Sequence, residues 1–483
     1  MTFLSPTKIV ASYNLQDPIG QVDSEIFAVL GSTIEVIGEP GVVVVNFVEG
    51  DDEANNIVGD SSWDRFSGYG GNDTLIGAEG EDILDTGSGD DYLSGGDGND
   101  ILEVVEAGND TIYGGNDNDR FIVNYGSGMT FGASFFYGGS GEDDVFITLS
   151  NEINAQFIDI QAGGNFTLAD GSVFESFENV NLITGAGDDQ LFIVDAFYLG
   201  SMYSSGSSWF GGEGNDHAIL DYSIATVSIS ASIGYSDYLY VQSASRYLFT
   251  LAFVESFSIA AGSANDTLNG ALGGDDLYGN AGDDGLYGNA GNDSLFGGDG
   301  NDALLGQTGN DSLTGGNGTD SLGGGEGNDT LFGENGDDRL VGSLGDDLIV
   351  AGAGNDTLQG GGGSDRLFGS TGTDQMYAGI DTVRDVFIFR STLDSTLGAS
   401  HDVVYNFVSG IDGFNLNQID ANTALANDQA FVFSGTTAQA NSVWYVIQGA
   451  DLLVFGDVDG NATRDFSIRL VGVASLMAGD FLL

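Results

Sequence analysis

The sequence predicts an all-β fold. It reads as a parallel β-roll or β-helix solenoid built from nonapeptides, with irregular β-rich insertions in the middle and a small β-rich C-terminal segment. Three observations predict this. Nine-residue blocks with aspartate sixth and an apolar residue eighth recur through two long stretches. Glycine supplies 79 of 483 residues and proline only 3, so turns are abundant and set by glycine. Acidic residues outnumber basic ones 73 to 10, giving a formal charge of -63 that a compact chain can carry only if something neutralises it.

From 261 to 377, thirteen nonapeptides run without a gap. Their sixth positions are Asp266, Asp275, Asp284, Asp293, Asp302, Asp311, Asp320, Asp329, Asp338, Asp347, Asp356, Asp365 and Asp374. The eighth position is leucine eleven times, with Ile349 and Met376 as the exceptions. An earlier run, 59 to 122, contributes Asp64, Asp73, Asp82, Asp91, Asp100, Asp110 and Asp119, with one insertion near Val104. Within each block, six residues such as GGDGND at 297–302 suit a sharp turn. The last three, such as ALL at 303–305, suit a short strand whose central side chain points inward. Two blocks make one 18-residue coil. The thirteen blocks would then stack leucines inside and aspartates along both turn edges, over roughly 31 Å at about 4.8 Å per coil. A flexible glycine-rich linker would not place leucine at every ninth residue.

Rows of carboxylates at that spacing repel unless hard cations sit between them. An all-oxygen shell of carboxylates and turn carbonyls suits calcium better than magnesium, zinc or copper. One ion between turns a coil apart gives about 5 plus 11 ions, and their roughly 32 positive charges halve the formal -63. The absence of cysteine excludes disulfides and thiolate sites, and His217 and His401 are the only histidines. No basic stripe exists to meet nucleic acid or an anionic membrane. No apolar run is long enough to span a bilayer, and no N-terminal signal peptide is evident.

Between 123 and 260 the repeat thins to GGSGEDDVF at 138, TGAGDDQLF at 184 and GGEGNDHAI at 211, which add Asp143, Asp189 and Asp216 as candidate ligands. The intervening segments alternate apolar and polar residues and read as longer strands of wider coils. Their aromatics fill those coils or form an exposed contact face, with Trp209 and Tyr203 as candidates for stacking on sugars. Residues 1–58 read as a β cap, or alternatively as an arm that pairs with another chain. The expected division is 1–58 cap, 59–122 first roll, 123–260 central region, 261–385 second roll and 386–483 C-terminal segment.

The repeats follow the pattern GGxGxDxUx and resemble those of RTX (repeat-in-toxin) proteins. The resemblance implies a calcium-filled parallel β-roll, export from a Gram-negative cell by type I secretion machinery, and folding once outside. Residues 386–483, with DVVYNFVSGIDGFNLNQID and GDVDGNATRDFSIRLVGVASLMAGDFLL, resemble the C-terminal domain of serralysin-type secreted proteins. That resemblance implies a structural calcium on Asp457, Asp459 and Asn461, with asparagine where an aspartate is common. It also implies an export signal at Asp480–Leu483. The metalloprotease half of that family has no counterpart, since neither histidine lies in HExxH and no GxSxG occurs.

These readings point to a secreted, calcium-dependent structural protein that is not an enzyme. It would associate with copies of itself in an extracellular matrix, surface layer or filament. The alternatives are a secreted adhesin module binding cell-surface or matrix polysaccharide and, further off, a polysaccharide-modifying enzyme of the alginate epimerase or lyase type.

Overall fold

The computed structural model describes residues 34–35, 46–104, 108–124, 133–149, 254–421 and 429–483. From 150 to 253 it describes 157–160, 165–168, 172–175, 177, 179–184, 189–194, 207–211, 216–223, 225, 228–233, 238–243 and 246–252. Two compact units comprise the chain: Met1–Ile219 with Arg246–Val254, and Leu220–Ser245 with Glu255–Leu483. The expected boundary at 385/386 therefore falls inside one unit. Both units are all-β, and no described helix is long and apolar enough to cross a membrane.

In the first unit, successive blocks alternate between two parallel sheets. One contains Asn56–Val58, Thr74–Glu79, Tyr92–Asp97, Thr111–Asn116, Phe135–Ser140 and Val173–Glu175. The other contains Asp64–Ser67, Ile83–Asp85, Ile101–Val104, Arg120–Asn124, Asp144–Thr148 and Asn179–Ile183. Register is in phase with the repeat, so Leu75 pairs with Leu93 and Leu84 with Leu102, and all four are fully buried. The second unit repeats the plan, with Leu277, Leu295 and Leu313 aligned in one sheet and Leu286, Leu304 and Leu322 in the other. The eighth position is thus the core, and its period of nine keeps every leucine facing inward.

The strands are longer than the three residues expected. Ser294–Asp299 is typical: it begins at the seventh position of one block and runs through the third position of the next. Pairing with the preceding coil skips only Gly279 and Gly297, and resumes at Asn280 with Gly298. The true turn is Gly300–Asp302. Its glycine has a φ of +142°, and a Cβ there would stand 1.7 Å from the Gly282 carbonyl oxygen one coil back, so both conformation and space require glycine.

Where the nonapeptides thin out, the coils widen and their cores become aromatic. Phe121, Phe136, Phe174 and Phe177 are buried; Phe136 and Phe174 stack at 4.4 Å, and Phe121 meets Phe177 edge-on at 4.8 Å. Trp209 is 1% exposed and its Nε1–H donates to Thr184 Oγ1 at 3.1 Å, so it is a core residue and not a contact face. Tyr203 and most of residues 1–45 lie outside the described residues.

In the second unit the sheets run on past the last nonapeptide. Val386–Ile388 pairs with Arg366–Gly372, and Asp402–Tyr405 pairs with Gln375–Tyr377. The antiparallel strands Ser442–Gln448, Asp451–Gly456 and Phe466–Leu470 join through the last of these to Asp402–Tyr405. Phe481–Leu482 pairs with Gly413–Asn415, and Asp480 is fully buried. Leu304→Ala should cost about 3 kcal/mol of unfolding free energy in saturating calcium, measured by denaturant titration, because close-packed coils collapse poorly around the lost side chain.

Candidate metal centre

The carboxylates lie in rows that act as a backbone ladder. In one row of the first unit, the Asp64 N–H donates to Asp82 Oδ1, Asp82 to Asp100, Asp100 to Asp119 and Asp119 to Asp143, at 2.7 to 2.9 Å. The other row runs Asp73, Asp91 and Asp110, then continues on hydroxyls, with the Asp110 N–H donating to Ser134 Oγ and the Ser134 N–H to Ser172 Oγ. Carboxylates therefore stop on that edge at Asp110. Asp189 donates to Asp216 in the same manner, across 27 residues instead of 18.

The second unit has two further rows. One links Asp266, Asp284, Asp302, Asp320, Asp338, Asp356 and Asp374; the other links Asp275, Asp293, Asp311, Asp329, Asp347 and Asp365. The ladder extends beyond the repeats. Asp374 donates to Asp402, Asp365 to Asp385, and Asp385 to Asp412. The 28-, 20- and 27-residue spacings of these last rungs hide them from a nine-residue search.

Oδ1 of each aspartate that accepts a rung is thus occupied, whereas Asp64, which opens its row, accepts the Asp60 N–H on Oδ2 at 3.1 Å. Oδ2 of Asp73, Asp82, Asp91, Asp100, Asp110, Asp119 and of every row aspartate from Asp284 to Asp374 is buried with no hydrogen-bond partner. A buried anionic oxygen without a donor is costly, and repeated along a row it fits a cation. The first glycine of each block lies under this oxygen: a Cβ on Gly297 would stand 2.4 Å from Asp302 Oδ2 and 2.6 Å from the Gly315 carbonyl oxygen. The space beside each Oδ2 is therefore lined by backbone, and hard oxygen donors of this kind suit calcium. Neither of the ion pairs Arg120–Asp144 and Arg469–Asp451 involves a row aspartate.

A second ladder, which the motif did not advertise, runs outside the first. The fifth residue of a block accepts the N–H of the fifth residue one coil later, as in Asn310 N–H to Asn292 Oδ1 and Asn328 N–H to Asn310 Oδ1, both 2.7 Å. The frequent asparagine before each aspartate is its sequence signal.

The C-terminal loop gathers Asp457, Asp459 and Asp465, with one carboxylate oxygen of each within 4.8 Å of the others. Asp457 is fully buried and its Oδ1 has no hydrogen-bond partner. Asn461, the third expected ligand, lies in the same loop. Its Nδ2 donates to Asp459 Oδ2 and its Oδ1 accepts the Thr463 N–H, so it braces a loop that turns at Gly460 (φ +76°) and returns Asp465 to the cluster. His217 lies in the strand His217–Asp221, and His401 Nδ1 meets the Gly398 carbonyl.

Residues 45–75, 67–102, 104–124, 261–295, 278–313, 296–331, 314–349 and 350–382 match the family model of the RTX calcium-binding nonapeptide repeat. The two arrays are RTX repeats, which bind multiple calcium ions. The matches end at residue 382 and leave the expected serralysin-like segment uncovered. No curated protein matches the chain. Among solved structures it is similar to the AlgE6R3 subunit of a mannuronan C5-epimerase from Azotobacter vinelandii (22% identity, 34% of this chain and 78% of that one, TM-score 0.22). The AlgE6R2 subunit gives 22% identity, 34% and 91% coverage and a TM-score of 0.18. The extracellular lipase LipA from Serratia marcescens gives 14% identity over 90% of this chain and 42% of that one, with a TM-score of 0.15.

Without cations, burial pushes Asp82, Asp91, Asp275, Asp356 and Asp365 up to about 7 and Asp119 up to about 8, and charges one coil away add to it for Asp82 and Asp119. Folded values above unfolded ones mean that the ion-free roll is favoured below the unfolded pKa and loses that stability as pH rises through the folded values. In chelator, circular dichroism should therefore show strand structure gained on acidification below about 6 and lost as pH rises through about 6 to 8. In calcium the ligands must be deprotonated, so the calcium midpoint should rise as pH falls through the same window.

Proposed function

We propose that the chain is a secreted structural protein that stays unfolded in low calcium, folds on calcium outside the cell, and there associates with copies of itself in a matrix, surface layer or filament. The observation that carries the calcium switch is the series of buried Oδ2 atoms without donors, since that arrangement disfavours the ion-free fold at neutral pH. The expected site residues Asp73 to Asp119 and Asp284 to Asp374 are its ligand candidates, together with Asp457, Asp459 and Asp465. Sites of this kind outside cells typically half-saturate at about 0.1 to 1 mM calcium.

Self-association draws support from one face of the first unit. In the sheet from Asn56–Val58 to Val173–Glu175, the outward residues flanking each buried core residue include a single charge, Glu175. Val58, Tyr92 and Tyr137 are 38%, 40% and 36% exposed there, and Tyr113 touches Tyr92, Phe135 and Tyr137 at ring distances of 5.8 to 6.1 Å. The opposite sheet presents Arg65, Asp85, Glu103, Arg120 and Asp144. Two copies of a strongly acidic chain meet with least repulsion through the face that lacks charge. Six strands at about 4.8 Å, with about 10 Å of strand length each, offer about 300 Å² per copy. A pair buries about 600 Å², below the roughly 1,000 Å² of specific contacts, so stable assembly needs many such contacts at once.

Electron microscopy and sedimentation should show assemblies in millimolar calcium that disperse in chelator, and Tyr113→Glu with Tyr137→Glu should leave a folded, calcium-bound monomer. A wild-type chain that stays monomeric in both conditions rules the reading out. The same aromatic face favours a second reading, a polysaccharide-binding module, which glycan-array binding lost on Tyr92→Ala would support. Turnover of a uronate polymer by the purified chain would replace both with an enzyme.

A further inference from the structure

The row aspartates divide into two kinds, and the division does not follow the repeat. In the terminal rungs the residue four before the aspartate turns its N–H onto Oδ2: Asp60 to Asp64 at 3.1 Å, Gly262 to Asp266 at 3.2 Å, Ala271 to Asp275 at 2.6 Å and Val408 to Asp412 at 2.7 Å. Asp385 Oδ2 receives the Gly379 N–H at 3.1 Å. In the interior rungs the residue four before has a positive φ, as at Asn280 (+70°), Gly298 (+113°) and Ser370 (+72°). The corresponding oxygens, Oδ2 of Asp284, Asp302 and Asp374, have no donor. A left-handed residue at that position thus accompanies a free carboxylate oxygen, and an ordinary one accompanies a carboxylate closed by its own loop.

Asp402 lies outside every nonapeptide yet has both marks of an interior rung. Its residue four before, Gly398, has a φ of +93°; the side chain is fully buried, Oδ1 accepts the Asp374 N–H at 2.9 Å, and Oδ2 has no hydrogen-bond partner. Its N–H ends the ladder on Ser395 Oγ at 2.8 Å, next in sequence to buried Asp394, whose charge acts on both Asp374 and Asp402. Asp374 and Asp402 thus bring together two buried oxygens without donors, whereas Asp394 Oδ2 is closed by the Arg390 and Ser391 N–H groups at 2.6 and 3.1 Å.

We infer that Asp402, with Asp374, holds a further calcium-type cation that ties residues 386–405 to the roll, whereas Asp266, Asp275, Asp385 and Asp412 are hydrogen-bonding rungs and not ligands. The inference rests on the reading that free Oδ2 atoms in the rows are cation ligands. Asp402 closes its row as a ligand, while Asp412, at the same end of the other row, closes without one.

The test counts calcium per chain by elemental analysis of the full-length protein after gel filtration. Asp402→Ser keeps an acceptor for the Asp374 N–H, as Ser134 and Ser172 do in the first unit, and should lower the count by about one ion. Asp412→Ser and Asp385→Ser should leave the count unchanged. A full complement in Asp402→Ser, or an equal loss in Asp412→Ser, overturns the inference. If Asp402→Ser does not fold, anomalous diffraction from terbium-soaked wild-type crystals decides: a peak at about 2.3 to 2.6 Å from Asp402 Oδ2 supports the site and its absence overturns it. A wild-type chain with no ion along any row would instead defeat the underlying reading.

Discussion

The structure depends on a buried carboxylate that serves two masters. Oδ1 accepts a backbone N–H from the turn one coil earlier and so holds adjacent coils in register. Oδ2 is carried into the interior with it and meets no protein donor. Neutral side chains can perform the first task, as Ser134 and Ser172 do. An anion performs both, and the second makes the stack conditional: the desolvated charge costs more than the hydrogen bond returns until a cation arrives. Calcium dependence is thus distributed along every interior rung of the two arrays.

The rest of the coil follows from making room for that carboxylate. In most blocks the first position is glycine because Oδ2 of its own aspartate occupies the space, and the fourth because the carbonyl of the previous coil does. The second position tolerates asparagine, glutamine, glutamate and serine, which reach the left-handed region at modest cost. Outside the turn, the asparagine ladder adds a neutral set of hydrogen bonds that does not depend on the metal. Asp90 and Asp283 of that outer ladder feel the opposite electrostatics to the rows. Hydrogen bonds from Asn109 hold the Asp90 carboxyl below its usual range, while burial raises Asp91 beside it.

Wider coils in the first unit keep the ladder but change the core. When 24 or 38 residues separate successive rungs, a single leucine no longer fills the interior, and stacked phenylalanines take over. The outward face of the same sheet is nearly free of charge, in a chain whose turns are crowded with acids. The fold therefore separates its functions in space: turns for cations, interior for packing, and sheet faces for whatever the protein meets.

The repeat by itself determined the all-β class, the two-sheet coil, the inward leucines and the calcium, because a nine-residue period leaves one geometry in which apolar residues and carboxylates each keep to one side. It also located the rows from Asp64 to Asp119 and from Asp266 to Asp374. Tertiary structure alone decided where those rows end. Asp402 and Asp412 join them across 28- and 27-residue gaps, since a rung is defined by a hydrogen bond between coils and not by spacing along the chain. Likewise Asp465 joined Asp457 and Asp459 because the loop closes in space at Gly460, and Trp209 went to the core because Thr184 was there to receive its N–H. Which oxygen of an aspartate finds a donor depends on the backbone four residues earlier, and no identity in the motif records that choice.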